Sequence, residues 1–302
     1  MGELKYIPFE EESENIKSRV TDYWTERADS FFVQRQHELN SAKADRWRGE
    51  INAQLAKLEC MKDSETGHIP ENAMKDPAAG QVPENVMQYP LVRYSPENDM
   101  AENDAKMKSL RILDIGCGSG FFEVLLGREG HEVTGIDLTE EMIVNSKRLI
   151  EQNGPYAKPV NTLQMDAEKL AFADESFDVV ISRNLTWTLP HPIEAYAEWN
   201  RVLKKGGMLL NFDAEYAKGA HNLYTDDNIA HKDISDKLKD ECHAIYHMLT
   251  ISNLDRPEWD KHVLLQSGFS KVDTDLNFCE RIFAERDEFY IPDRMFMITA
   301  VK

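Results

Sequence analysis

The run Leu113-Asp114-Ile115-Gly116-Cys117-Gly118-Ser119-Gly120-Phe121-Phe122 constrains this chain more than any other stretch. An apolar segment passes through three alternate glycines straight into a second apolar segment. Glycine tolerates positive φ and has no Cβ to hold a ligand off the backbone, so a turn of this kind between a strand and a helix is a ligand seat. About twenty residues further on, a second apolar run ends on an acid, in Val133-Thr134-Gly135-Ile136-Asp137-Leu138. A carboxylate at the end of the next strand can accept both hydroxyls of a ribose. Turn and acid together predict a nucleoside site.

From Leu110 onward, short apolar strands alternate with helical stretches, the pattern of a parallel sheet. Strands are expected at residues 111–115, 132–136, 161–165, 177–182 and 208–213, with the last following a Gly206-Gly207 turn. Two final strand candidates lie at 269–276 and 295–301, and helices are expected at 121–129, 140–153, 192–203 and 259–266. The fold class is therefore α/β, a doubly wound, seven-stranded, mostly parallel sheet. Residues 214–250 read as a charged, mainly helical insertion in a cofactor-binding domain spanning 107–302.

The glycine pattern selects the nucleoside. A dinucleotide fingerprint needs a third glycine where Phe121 stands, so that a pyrophosphate can lie on the helix N-terminus. What stands here is G-x-G-x-G preceded by an acid, which resembles the first motif of the class I S-adenosylmethionine-dependent methyltransferases. That cofactor has no phosphate, so a compact glycine turn suffices. The resemblance runs over roughly residues 110–213 in the family's order. Leu163-Gln164-Met165-Asp166-Ala167-Glu168 is similar to its adenine-reading segment, Phe172 to Ser182 to its run into the fourth strand, and Arg201 to Gly207 to its approach to the fifth.

The resemblance implies S-adenosylmethionine as cofactor, a Rossmann-like fold, and roles for individual residues. Asp114 would organise the turn, with Gly116, Cys117, Gly118 and Gly120 around the methionine moiety. Asp137 would hold the ribose, Leu138, Met142 and Met165 would pack on the adenine, Asp166 and Ala167 would read its edge, and Asn184 would close the strand-four side. Cys117 is also read as a small buried filler. The run Tyr23-Trp24-x-x-Arg27-Ala28 resembles the segment preceding the cofactor domain in small-molecule members, which adds Tyr23 and Arg27 to the cofactor set.

The acceptor side is less defined. After the fourth strand the chain reads Ser182-Arg183-Asn184-Leu185-Thr186-Trp187, without the D/N/S-P-P-Y/F motif of enzymes that methylate nucleobase amino groups. Trp187 and Tyr216 are candidates for the acceptor wall, and His191 and His221 for a general base where the acceptor must lose a proton. Cys242, His243 and His247, with His231 upstream, could share a helix face, but no H-E-x-x-H accompanies them and no metal is expected. A dinucleotide oxidoreductase and a non-catalytic scaffold or sensor are the competing readings.

A net charge of −19 disfavours phosphate backbones and anionic lipid as partners, so nucleic acid and membrane are not expected. Cys60, Cys117, Cys242 and Cys279 form no C-x-x-C pair, which suits a reducing, cytoplasmic setting. The first twenty residues carry Glu10, Glu11, Glu12 and Glu14 and no apolar run, so no signal peptide is expected.

Residues 1–62 read as a helical segment, with Ile16, Val20, Tyr23, Trp24, Arg27 and Phe31 at helical spacing and a second stripe of Trp47, Ile51, Leu55 and Leu58. It is expected either to plug the main domain or to close over it as a lid. Residues 63–106 contain three thirteen-residue repeats, beginning at Ile69, Val82 and Ser95, each with Pro-Glu-Asn followed two residues later by Met. They read as an exposed insertion or a flap.

Overall fold

In the computed structural model, residues 10–65 and 108–302 are described. The expected repeats at 63–106 thus lie almost wholly outside the described residues. The chain opens with α1 (Glu10–Leu39) and α2 (Ala42–Glu65). The alternating part follows: β1 (Arg111–Ile115), α3 (Phe121–Arg128), β2 (Glu132–Asp137), α4 (Glu140–Asn153), β3 (Val160–Gln164) and β4 (Phe177–Arg183). It continues with α5 (Pro192–Val202), β5 (Leu203–Ala214), α6 (Asp236–Met248), α7 (Glu258–Gln266), β6 (Lys271–Asp275), α8 (Phe278–Ile282) and β7 (Met295–Val301).

The seven strands form one sheet in the order β3-β2-β1-β4-β5-β7-β6. Strands β1 to β5 pair in parallel, and β7 runs antiparallel to β5 and β6. The order reverses between β1 and β2 on one side and β4 on the other. In doubly wound sheets that switch point is where loops from the two halves diverge and leave a crevice at the strands' carboxyl ends.

Three local outcomes differ from the sequence reading. Strand β5 begins at Leu203, and the glycine pair is a bulge within it: Phe177 faces Leu203, while Val179 already faces Met208. The 214–250 insertion is only partly helical, with α6 as its one α-helix and short 3-10 turns before it. Helix α8 was not expected, because five residues are too few to show a period. Among the described residues, no helix is long and apolar enough to cross a membrane.

The helical break at Asn40-Ser41 is a capped corner. The Lys43 backbone N–H donates to Ser41 Oγ at 3.2 Å, and the Ala44 N–H donates to the Ser41 carbonyl at 3.1 Å. A serine hydroxyl in that position satisfies an amide that the first helical turn leaves orphaned. The corner folds α2 back onto the sheet.

Helix α2 belongs to the core rather than to a separate lid. Trp47 is fully buried, with its ring edge-on to Phe122 at 5.3 Å and to Phe212 at 5.2 Å, and tilted against Phe278 at 5.3 Å. Ile51, Leu55 and Leu58 continue the same stripe. The lid reading of residues 1–62 is therefore corrected for α2, since removing it would open the main core, and is left with α1 alone. We predict that Trp47→Ala lowers unfolding free energy by about 3–5 kcal/mol, the cost of truncating a buried tryptophan, as measured by urea denaturation. A loss below about 1 kcal/mol would show that α2 is docked only peripherally.

Candidate functional site

A cleft enclosing about 1600 Å³, mouth included, lies at the carboxyl ends of β1, β2 and β4 and is roofed by α1. Its floor is the glycine turn. Gly116 and Gly118 have φ of +72° and +52°, a region closed to most side chains. A Cβ on Gly116 would lie 2.9 Å from the Leu185 side chain, and one on Gly118 would lie 2.9 Å from the Phe31 ring. The turn is fastened to β2 because the amides of Gly116 and Cys117 both donate to the Ile136 carbonyl, at 2.8 and 2.9 Å.

Asp137 ends β2 inside the cleft. Its Oδ2 accepts the Gly118 N–H at 3.0 Å and its Oδ1 accepts the Thr139 N–H at 2.9 Å. Each oxygen keeps a lone pair for a further donor, so the carboxylate can shape the turn and still accept two hydroxyls. Burial raises its pKa, and the backbone amides oppose that shift.

The cleft also brings together Asp114, Cys117, Leu138, Met142, Met165, Asp166 and Ala167, and across from them Tyr23, Arg27, Asn184, Trp187 and Tyr216. Asp166 does not stand alone: Oδ1 accepts the Glu168 N–H at 2.9 Å, while Oδ2 meets Lys17 Nζ from α1 at 2.6 Å. Lys17 also lies 2.6 Å from Glu168. Asn184 adopts φ +56°, which asparagine tolerates, and its Oδ1 accepts the Tyr216 hydroxyl at 2.8 Å. The Trp187 amide donates to Asp213 at 3.1 Å, and its ring packs on Tyr246 at 4.8 Å and Tyr216 at 5.6 Å.

Three expected site residues stand elsewhere. Gly120 lies outside the cleft wall, and a Cβ there would lie 2.6 Å from Ser146 Oγ, so its missing side chain serves the packing of α3 on α4. His191 is turned to Glu168, which takes its backbone N–H at 2.6 Å and faces its Nδ1 at 2.9 Å, outside the cleft wall. His221 is exposed on a 3-10 turn. Neither histidine faces the space where a reacting atom would sit.

The imidazole that does line the cleft is His231, beside Cys242 and Tyr246 of α6. Burial, helped by the nearby charges of Arg27 and Arg35, pushes its pKa down to about 3, so it is neutral at ordinary pH. Arg35 and Arg183 are two further charged cleft residues that the sequence reading missed. Arg35 was visible in principle, since Arg27, Phe31 and Arg35 recur every four residues on α1. Arg183 had no such signal.

The chemistry beneath the turn is acidic. Asp114 and Glu123 are both buried and near enough to share a hydrogen bond when one of them is protonated. Burial raises both pKa values; the charge of Asp114 raises Glu123 further, and that of Asp137 raises Asp114.

Residues 113–211 match the family described as methyltransferase domain. An uncharacterized protein of Haemophilus influenzae is 31% identical over 167 residues, covering 54% of this chain and 60% of its own. A phosphatidylethanolamine N-methyltransferase of Cereibacter sphaeroides is 39% identical over 98 residues, 32% of this chain and 47% of its own. A ubiquinone biosynthesis O-methyltransferase of a Ruegeria species is 34% identical over 107 residues, 35% of this chain and 42% of its own. The chain thus spans about half the length of these relatives, and the two named for a reaction differ in the atom they methylate.

The raised carboxyls give a pH prediction. The folded chain keeps protons that the unfolded chain releases near pH 4, so their contribution is complete below that pH and is lost as pH rises through the folded value, about 7 for Asp114. Glu123→Gln removes one buried acid at constant shape. Thermal melts should show it more stable than the parent at pH 8, by roughly 1 kcal/mol or more, with little difference at pH 4. Equal stability at pH 8 would mean that Glu123 is ionised in the fold at little cost.

Proposed function

We propose that this chain, whose residues 113–211 match a methyltransferase domain, is an S-adenosylmethionine-dependent methyltransferase that methylates a small-molecule acceptor in the cleft under α1. The observation that carries this reading is one continuous cavity with two unlike kinds of lining. The glycine turn and Asp137 line it, and so do the rings of Trp187, Tyr216 and Tyr246.

The residues present fit the cofactor. Gly116 and Gly118 leave open the backbone that would face the methionine part, and Asp137 would take the ribose. Leu138 and Met142 would cover the adenine, with Met165 beside them, and Asp166 with the Ala167 amide would read its edge. Arg27, buried and bonded through Nη1 to the neutral Ser30 hydroxyl at 2.8 Å, would answer the cofactor's carboxylate, with Tyr23 packed beside it.

When bound, the cofactor supplies a methyl carbon on a positively charged sulfur, open to in-line displacement by a lone pair. The protein's part is alignment and exclusion of water. Phe31 over the turn and Trp24 edge-on to it at 5.5 Å close the space from the α1 side. Trp187 is held from behind: Asp213, which takes its amide, is paired with Arg256 at 3.2 Å, and Arg256 with Asp260 at 2.9 Å. A wall fixed by a buried ion network keeps an acceptor ring in register with the methyl donor.

The closed roof and a net charge of −19 favour a small acceptor over a nucleic acid. Four free thiols suit a reducing, cytoplasmic compartment.

Calorimetry tests this reading. S-Adenosylhomocysteine should bind the chain, and NAD should give no measurable heat. Asp137→Ala removes two charged hydrogen bonds, each worth about 1.5–3 kcal/mol, so affinity should fall by about a hundredfold or more with the fold retained. NAD binding as tight as S-adenosylhomocysteine, or an Asp137→Ala affinity within about threefold of the parent, would contradict it.

A further inference from the structure

The acceptor end of the cleft holds more positive charge than the chain itself neutralises. Arg27, Arg35 and Arg183 all line it, and their side chains are buried; Arg27 and Arg35 are 5% and 8% exposed, and the Arg183 side chain 11%. Among the described residues, Glu38 is the one carboxylate bonded to this group. It accepts from Arg35 Nη1, from Arg183 Nη2 at 2.9 Å and Nη1 at 3.3 Å, and from Trp47 Nε1 at 3.0 Å. The other acids of the cleft are occupied: Asp137 by the amides of Gly118 and Thr139, and Asp166 by Lys17. Asp114, whose charge acts on Arg183, is held toward its protonated form by burial.

Hydrogen bonding shows the same deficit. Among the described residues, the Nε–H groups of Arg27, Arg35 and Arg183 are buried without an acceptor. Buried guanidiniums are costly unless paired, and three of them lining one cavity beside a single bonded carboxylate suit an anionic ligand. A chain with net charge −19 does not gather cations in its interior by composition.

We propose that the methyl acceptor is a carboxylate-bearing aromatic compound, held by Arg35 and Arg183 with its planar body against Trp187, Tyr216 and Tyr246. This rests on the methyltransferase reading. Three guanidiniums against one glutamate leave two positive charges. With Arg27 given to the cofactor's zwitterionic methionine part, Arg35 and Arg183 against Glu38 leave one positive charge, which suits a singly charged acid rather than the two charges of a phosphate monoester. Guanidinium geometry matches a planar carboxylate through paired N–H groups. The aromatic wall supplies the rest: Tyr216 and Tyr246 lie parallel within 7° at 6.4 Å, with Trp187 packed on both.

The test is calorimetry on the full chain saturated with S-adenosylhomocysteine, titrated with benzoate, its neutral isostere benzamide, and phenyl phosphate. Benzoate should bind at least about tenfold tighter than benzamide, and tighter than phenyl phosphate. Arg35→Gln leaves Glu38 paired with Arg183 and Trp47; at saturating S-adenosylhomocysteine it should cut the benzoate advantage over benzamide to below about threefold. If that variant does not fold, the order of the three probes on the parent chain decides alone. Benzamide matching benzoate, phenyl phosphate exceeding it, or no benzoate binding at millimolar concentration would overturn this proposal while leaving the methyltransferase reading intact. Failure to bind S-adenosylhomocysteine would overturn both.

Discussion

Glu38 is a carboxylate with no exposure to water, and its four hydrogen bonds tie together parts of the chain that would otherwise not belong to one another. Burial by itself raises its pKa, but the Arg183 and Arg35 guanidiniums hold it below the ordinary carboxylate range, so the charge persists inside the protein. From its place on α1, Glu38 holds α2 through Trp47 and reaches the end of β4 through Arg183, with Arg35 of the preceding turn drawn into the same cluster. Arg183 in turn stacks over the Trp47 ring at 4.3 Å. Breaking one arm would leave buried charge unpaired, a more costly state than never having buried it. The roof of the cleft and the arginines on its wall are therefore set by the same contact that docks the N-terminal helices.

From this contact follows a separation of charge along the cleft. The cofactor end is acidic: Asp137 is fixed by two backbone amides, Asp114 and Glu123 lie beneath the turn, and Asp166 faces Lys17. The wall proposed for the acceptor is cationic and aromatic, and the neutral imidazole of His231 lines the same cleft. Helix α1 contributes to both ends, with Lys17 near its start and Arg27 and Arg35 two and more turns on. One helix thus spans both halves of the site, which makes it the element most sensitive to their joint occupation.

The legible part of the sequence was the part encoded locally. The glycine turn, the acid ending β2 and the alternation of strands and helices each follow from residues within a few positions of one another, and the bounds of β1, α4 and β7 agree with the pattern to the residue. The illegible part depends on distance. Arg183 and Glu38 are 145 residues apart in the chain, and neither carries a motif. Gly120 looked equivalent to its two neighbours, but helix packing rather than a ligand claims its space. His191 looked available until Glu168 was seen to hold it. Helix α2 read as part of an appendage because periodicity reports an apolar face without naming what covers it. The thirteen-residue repeats lie outside the described residues.

The account stands or falls on α1 being a wall of the cofactor site rather than a neighbour of it. Hydrogen exchange with and without S-adenosylhomocysteine addresses this directly, since amide protection reports local opening segment by segment. Binding should increase protection both in the glycine turn, residues 114–120, and across residues 17–35 of α1. Protection gained in the turn alone, with α1 unchanged, would contradict the account.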